Sequence, residues 1–120
     1  KKVVDTYGHL KGSQAIHEVA GTLRGCLVEP AFGVAYGGDE FVAVLPGSDK
    51  AKALKKAEEI RSRMKQTIYL ASHGHQVSLS ASFGIATFPE DADDVTGLLA
   101  LADRAMFDVK EKGKDAIKTA

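Results

Sequence analysis

The chain has 120 residues, 16 basic and 16 acidic side chains, no formal net charge at neutral pH and 44% hydrophobic residues. That length suits a single domain with a real core and is short for two, and the charge balance argues against a nucleic-acid or membrane surface. No apolar run approaches the roughly 18 residues of a membrane span, and the single cysteine, Cys26, excludes an internal disulfide and fits a reducing, cytoplasmic setting.

The opening Lys1-Lys2-Val3-Val4-Asp5 already lies inside a pattern, with no capping signal before it. Tyr7 to Gly12 reads as a loop between helical pieces, and Ser13 can cap a helix running to about Leu27. Ile16, Val19, Ala20, Leu23, Cys26 and Leu27 recur at helical spacing and define its core face. On that stripe Cys26 reads as a small buried hydrophobe rather than a reactive thiol. Pro30 disfavours helix in the residue before it and closes the segment.

Phe32-Gly33-Val34-Ala35-Tyr36 and Phe41-Val42-Ala43-Val44-Leu45 read as buried strands. Gly37-Gly38-Asp39-Glu40 between them is then a hairpin turn. Its glycines are expected to supply positive φ and to let a ligand approach bare backbone. Two adjacent carboxylates at such a tip serve no folding need, and hard divalent cations want carboxylate oxygens. Asp39 and Glu40 therefore suit a metal and the phosphates it brings; the other reading is an acidic turn with no ligand.

A second helix is expected from about Lys50 to Gln66, with Ala53, Leu54, Ala57, Ile60 and Met64 inward. Lys55, Lys56, Glu58, Glu59, Arg61 and Arg63 read as its solvated face. His73-Gly74-His75 has two histidines in a loop without a third ligand, which reads as solvated more readily than as a metal site. Val77, Leu79, Ala81, Phe83 and Ile85 alternate with Ser78, Ser80, Ser82 and Gly84, the period of a strand with one face on the core. After an acidic loop, Asp94 or Thr96 can cap a last helix that turns Leu98, Leu99, Leu101, Ala102, Ala105, Met106 and Val109 inward and reaches about Lys112. The alternation of helices and strands is that of an α/β domain around one sheet.

Gly37-Gly38-Asp39-Glu40-Phe41 does not stand alone. Asp5-Thr6-Tyr7-Gly8-His9 precedes it, and Ser82-Phe83-Gly84-Ile85-Ala86 and Ala102-Asp103-Arg104-Ala105-Met106-Phe107 with Lys110 follow it. In this order and spacing, over nearly the whole chain, the set resembles the GGDEF domain of the diguanylate cyclase family. The resemblance implies an α/β fold (an α+β sandwich) with a five-stranded, mostly antiparallel central sheet flanked by helices, like the palm of nucleotidyl cyclases and polymerases. In that fold a first strand precedes the helix that here begins near Lys1. Residues 1–120 are therefore expected to be one GGDEF domain truncated at its N-terminus, without the aspartate that ends that strand, and inactive by themselves.

The activity implied is condensation of two nucleoside triphosphates, GTP or also ATP, to cyclic di-GMP or cyclic AMP-GMP plus pyrophosphate, in bacterial second-messenger signalling. Asp39 and Glu40 would bind Mg²⁺ (or Mn²⁺), with Asp39 also accepting the proton of the attacking 3′-hydroxyl, beside the bare backbone of Gly37 and Gly38. Lys110 and Lys114 match phosphate-contacting positions and would share a helix face if the last turn persists through Gly113. Lys1 matches a further phosphate-contacting lysine. His9 would orient the base-pocket loop or cap it.

The base pocket departs from the family: Val4 and Ser13 stand where an asparagine and an aspartate read guanine. A serine hydroxyl donates or accepts, so it separates guanine from adenine poorly, and Ser13 resembles the promiscuous branch that makes cyclic AMP-GMP. Val28-Glu29-Pro30-Ala31 replaces the Arg-x-x-Asp of product inhibition, and Ala35 replaces an arginine, so feedback binding should be weak or absent. The resemblance also implies a homodimer for catalysis and an upstream sensor or receiver domain, with no nucleic-acid or membrane contact by this domain. A catalytically degenerate module that binds nucleotide or a protein partner is the alternative.

Overall fold

The computed structural model describes residues 9–37, 40–71, 74, 76–113 and 115–120, with the side chains of residues 9–11 outside the description. The order of elements is α1 (His9–Cys26), β1 (Phe32–Gly37), β2 (Glu40–Val44), α2 (Lys50–Gln66), β3 (Ser82–Ile85), α3 (Val95–Glu111) and β4 (Ala116–Thr119). They fall into two compact units, residues 1–46 with 63–79, and residues 47–62 with 80–120.

In the first unit the core forms where α1 meets the chain after α2. Ala15, Tyr69, Leu70 and Val77 are buried together, with Val19 and Leu79 packed against them. Burying Leu70 completely contributes about 1.5–3 kcal/mol, and this position is 0% exposed. It does so in a left-handed backbone conformation, φ 60. Glu18 on α1 offsets that strain by accepting a hydrogen bond from the Leu70 N–H at 2.8 Å. The Tyr69 hydroxyl, buried with its ring, pairs with Thr22 Oγ1 at 2.8 Å, and Tyr69 bridges Val77 across the loop. Cys26 is 2% exposed, as its place on the apolar stripe predicts.

β1 and β2 form an antiparallel hairpin in which Phe32 faces Val44, Val34 faces Val42 and Gly37 faces Glu40. The two strands are not buried, contrary to the reading of their apolar runs. Phe32 is 51%, Val34 46% and Tyr36 61% exposed. A two-stranded ribbon offers two faces, and α1 takes one of them: a Cβ at Gly33 would lie 3.1 Å from Leu23. By the period of two, Phe32 and Val34 point the other way.

The second unit is a β–α–β crossover. β3 and β4 are parallel, with Ser82 opposite Ala116 and Ile85 opposite Thr119, and α3 supplies the long connection that parallel strands need. α3 lies so close to β3 that a side chain at Gly84 would overlap the carbonyl oxygen of Ala102 and come within 2.6 Å of the Met106 nitrogen. Asp94 caps α3, its Oδ1 accepting from Gly97 N–H at 2.6 Å. Lys50, at the start of α2, binds Asp91 at 3.0 Å and Glu90 at 3.3 Å and donates to the carbonyl of Ala120 at 3.3 Å. The Lys50 ammonium, then the Thr87 N–H, hold the Asp91 carboxyl below the usual carboxylate range. The same pairing with Asp91, then with Glu90, raises Lys50.

Several boundaries differ from the sequence reading. α1 begins at His9 and runs through Gly12, so Ser13 is an exposed interior residue of the helix and not its cap. The alternation of 77–85 becomes a bridge at Val77 and a strand only from Ser82. Leu54 and Leu101, expected inward, are each 38% exposed. Among the described residues four strands form two pairs, one antiparallel and one parallel; the expectation was a single, mostly antiparallel sheet of five strands whose first strand is missing from this chain. No described helix is long and apolar enough to cross a membrane.

Candidate functional site

The hairpin end is built by the strands on either side of it. Pairing runs in register from Phe32–Val44 to Ala35–Phe41, then shifts, so that Tyr36 is bulged and Gly37 faces Glu40. A bulge re-aims the strand end and increases its local twist. Gly38 and Asp39 connect Gly37 to Glu40 and lie outside the described residues.

Gly37 does not adopt the positive φ expected of it; among described glycines that conformation belongs to Gly47, Gly74 and Gly113. What Gly37 contributes is room: a Cβ there would meet nothing within 4 Å. Glu40 is half-buried as the first residue of β2. Among the described residues its carboxylate has no ion-pair or hydrogen-bond partner. A half-buried carboxylate without a cation, beside an unobstructed stretch of backbone, is a donor that suits a divalent ion. Among the described residues no three His, Cys, Asp or Glu side chains converge, at the hairpin end or elsewhere.

The lysine end belongs to the second unit. Lys110 is exposed on the last turn of α3, where a cation also complements the helix dipole. The helix does not persist to Gly113. It ends at Glu111, Lys112 caps it with its N–H on the carbonyl of Val109, and Gly113 takes φ +111. The helix face shared by Lys110 and Lys114 is thus corrected, because a left-handed glycine turns the chain off the helix axis. Lys114 itself lies outside the described residues, as do Lys1, Val4, His73 and His75. His9 opens α1 but its side chain is not described.

Sequence reasoning missed two features here. β4 follows at once after the turn, its alternating exposure carried by Ile117 and Thr119 inward; the β-branched alternation after Gly113 is the signal that could have found it. Arg61, read as solvated, instead binds Asp115, with Nε donating to Oδ1 at 3.1 Å. Nothing in the spacing announced that pair, which is 54 residues apart in the chain.

Comparison with known proteins places this geometry. The family described as "Diguanylate cyclase, GGDEF domain" matches residues 1–116. Diguanylate cyclase DosC of Escherichia coli K12 is 32% identical over 118 residues, covering 98% of this chain and 25% of the relative. The GGDEF domain of PA1120 (YfiN or TpbB) from Pseudomonas aeruginosa is 34% identical with a TM-score of 0.91, covering 99% of this chain and 74% of that one. Diguanylate cyclase SiaD of the same organism, solved with its activator SiaC, is 26% identical with a TM-score of 0.90, over 99% of this chain and 45% of that one. The chain spans about a quarter of the length of the curated relatives it matches. Matched over almost its entire length, and carrying Gly37 and Glu40 at the paired end of a β-hairpin, the chain belongs to the GGDEF domain family of diguanylate cyclases.

Proposed function

We propose that this chain is the catalytic module of a nucleotidyltransferase that condenses two nucleoside triphosphates into a cyclic dinucleotide. The observation that carries the reading is Glu40, a half-buried carboxylate without a partner among the described residues, at the hairpin end of a family-wide match. Asp39 and Glu40 hold a divalent ion, Mg²⁺ or Mn²⁺. Such an ion, when bound, neutralises triphosphate charge and makes a hydroxyl more acidic. Gly37 and Gly38 leave backbone open to the substrate. Lys110, Lys114 and Lys1 meet phosphate oxygens as point charges. Val4, His9 and Ser13 border the base, and Ser13, with one hydroxyl, accepts adenine as well as guanine.

The reaction balances as two mutual displacements. The 3′-oxygen of each nucleotide forms a bond to the α-phosphorus of the other, each α–β bond breaks, and two pyrophosphates leave. Each 3′-hydroxyl loses a proton, to Asp39 in this reading. One domain holds one nucleotide, so two copies must face each other, which replaces a bimolecular encounter by an arranged one. A sensor or regulator domain of the same protein then governs that meeting, in the cytoplasm where triphosphates are abundant.

A second reading, a module that binds nucleotide or a partner without turnover, draws on Val4, Ser13, Ala35 and the absent Arg-x-x-Asp at 28–31. One experiment separates them. The intact protein is incubated with Mg²⁺ and GTP, ATP or both, and products are identified by mass spectrometry. A cyclic dinucleotide, lost by at least about 100-fold in Glu40→Gln, supports catalysis, and the mixed product specifically supports a relaxed Ser13 pocket. Absence of any cyclic product at high protein concentration transfers the case to the binding module.

A further inference from the structure

Two tyrosines lie among the described residues, and the packing uses only one of them. Tyr69 is 1% exposed and its hydroxyl pairs with Thr22 Oγ1. Tyr36 is 61% exposed, and among the described residues its hydroxyl has no hydrogen-bond partner. A single exposed ring needs no explanation by itself; the place of this one does. The register shift between Ala35 and Gly37 leaves Tyr36 as the unpaired residue of β1. A bulge of this kind re-aims a side chain and is over-represented beside active sites. The next residue, Gly37, has its Cα about 3.8 Å away. It faces Glu40 across the hairpin and leaves open the space that a Cβ would fill. A ligand that approaches the bare backbone of Gly37 and the Glu40 carboxylate therefore comes within reach of the Tyr36 ring.

We propose that Tyr36 contacts substrate directly, its ring stacking on the purine of the triphosphate held at Gly37 and Glu40. The inference rests on the function proposed for that hairpin end, and adds to it a residue that touches the nucleoside rather than the phosphates. Every base has a π-face, so a stacking ring holds guanine and adenine alike and leaves discrimination to hydrogen-bonding groups. That supplies affinity without selectivity, which matches the relaxed reading of Ser13. A tyrosine gives such contact area at low entropic cost, because it has few rotatable bonds to fix. Phe32 is also exposed, at 51%, but pairs with Val44 at the far end of β1. Four residues of strand put it about 13 Å from Tyr36, which makes it a control for the open face of the ribbon.

The test uses the intact protein with Mg²⁺ and calorimetry. It reads the dissociation constants of α,β-methylene analogues of GTP and ATP, and of inorganic triphosphate, which carries no base. Because the ring is exposed, Tyr36→Ala should fold with the parental thermal midpoint. It is expected to weaken both nucleotide analogues about tenfold and to leave inorganic triphosphate within about twofold. KM should rise with kcat within about twofold. Tyr36→Phe keeps the ring and should stay within about twofold of the parent, as should Phe32→Ala. Parental nucleotide binding in Tyr36→Ala overturns the proposal. An equal loss for inorganic triphosphate also overturns it, by placing the contact on phosphate. A loss for one purine alone places it on a base edge, and a Tyr36→Phe variant as weak as Tyr36→Ala places it on the hydroxyl; either result sinks the stacking contact. A Phe32→Ala loss as large as that of Tyr36→Ala does the same, by spreading the effect over the ribbon. If Tyr36→Ala folds poorly, Tyr36→Leu, which keeps apolar bulk without a ring face, gives the same reading. Should the unmodified protein bind neither analogue and condense no triphosphate, the proposed function falls and this inference with it. Normal turnover with an unchanged Tyr36→Ala dissociation constant overturns this inference alone.

Discussion

Gly37 at the end of β1 and Gly84 inside β3 stand in opposite physical situations. Around Gly37 a side chain would find nothing within 4 Å, whereas at Gly84 it would overlap the Ala102 carbonyl oxygen. β1 is exposed along its entire length, and β3 is half-buried at all four of its positions. One glycine keeps space empty where a ligand is expected; the other lets a helix lie against a sheet. A glycine motif therefore marks a site only where the space beside it is open.

That contrast can be broken by substitution. Gly84→Ala should destabilise by about 3 kcal/mol or more, since neither a helix carbonyl nor a helix N–H can move aside. Gly37→Ala should stay within about 0.5 kcal/mol of the parent, so any deficit must show in nucleotide turnover. Urea denaturation of both variants decides it, and similar losses at the two positions would refute the distinction. A smaller effect tests how firmly α3 is held. Asp94→Ala removes the cap bond to Gly97 and should lower stability by about 1 kcal/mol, read from the same curves.

The smallest effect is a pH dependence confined to the second unit. Asp91 titrates below its ordinary value because of Lys50, so its contribution is present above about pH 4 and fades as pH falls through the native value. Asp108, held down chiefly by its hydrogen bond to Lys118, adds in the same direction. Asp91→Asn should flatten the acid limb of a plot of thermal midpoint against pH. An unaltered limb would show that the pair with Lys50 contributes nothing measurable in solution.

Local pattern made some of this legible. α2 occupies Lys50–Gln66 as its periodicity predicts, and Asp94 caps α3 as its residue type predicts. The paired end of the hairpin was readable too, because glycine and acid between two apolar runs leave few other structures. The failures are of another kind. Continuous apolar runs suggested strands covered on both faces, yet burial depends on how many neighbours a strand has, which no run of residues states. Ser13 looked like a cap because Gly12 looked like a break, but Gly12 is buried within α1 and the helix runs through it. Charged residues on α2 were assigned to solvent by type. Arg61 escaped because its partner follows a left-handed glycine and a whole helix later in the chain.

The second unit is closed by its last residues. Ile85 receives the Ala120 N–H at 2.7 Å, and the Ala120 carbonyl receives Lys50. Contacts between residues 50, 85 and 120 are strongly non-local, a class of contact whose loop-closure cost slows folding. On the ribosome, β3 and α3 emerge before β4, with α3 able to pack on β3 but no parallel partner available. Until β4 is out of the exit tunnel, the edge of β3 is an open template for other strands. A nascent chain arrested just before Ala116 thus presents β3 without the parallel partner it has in the folded unit.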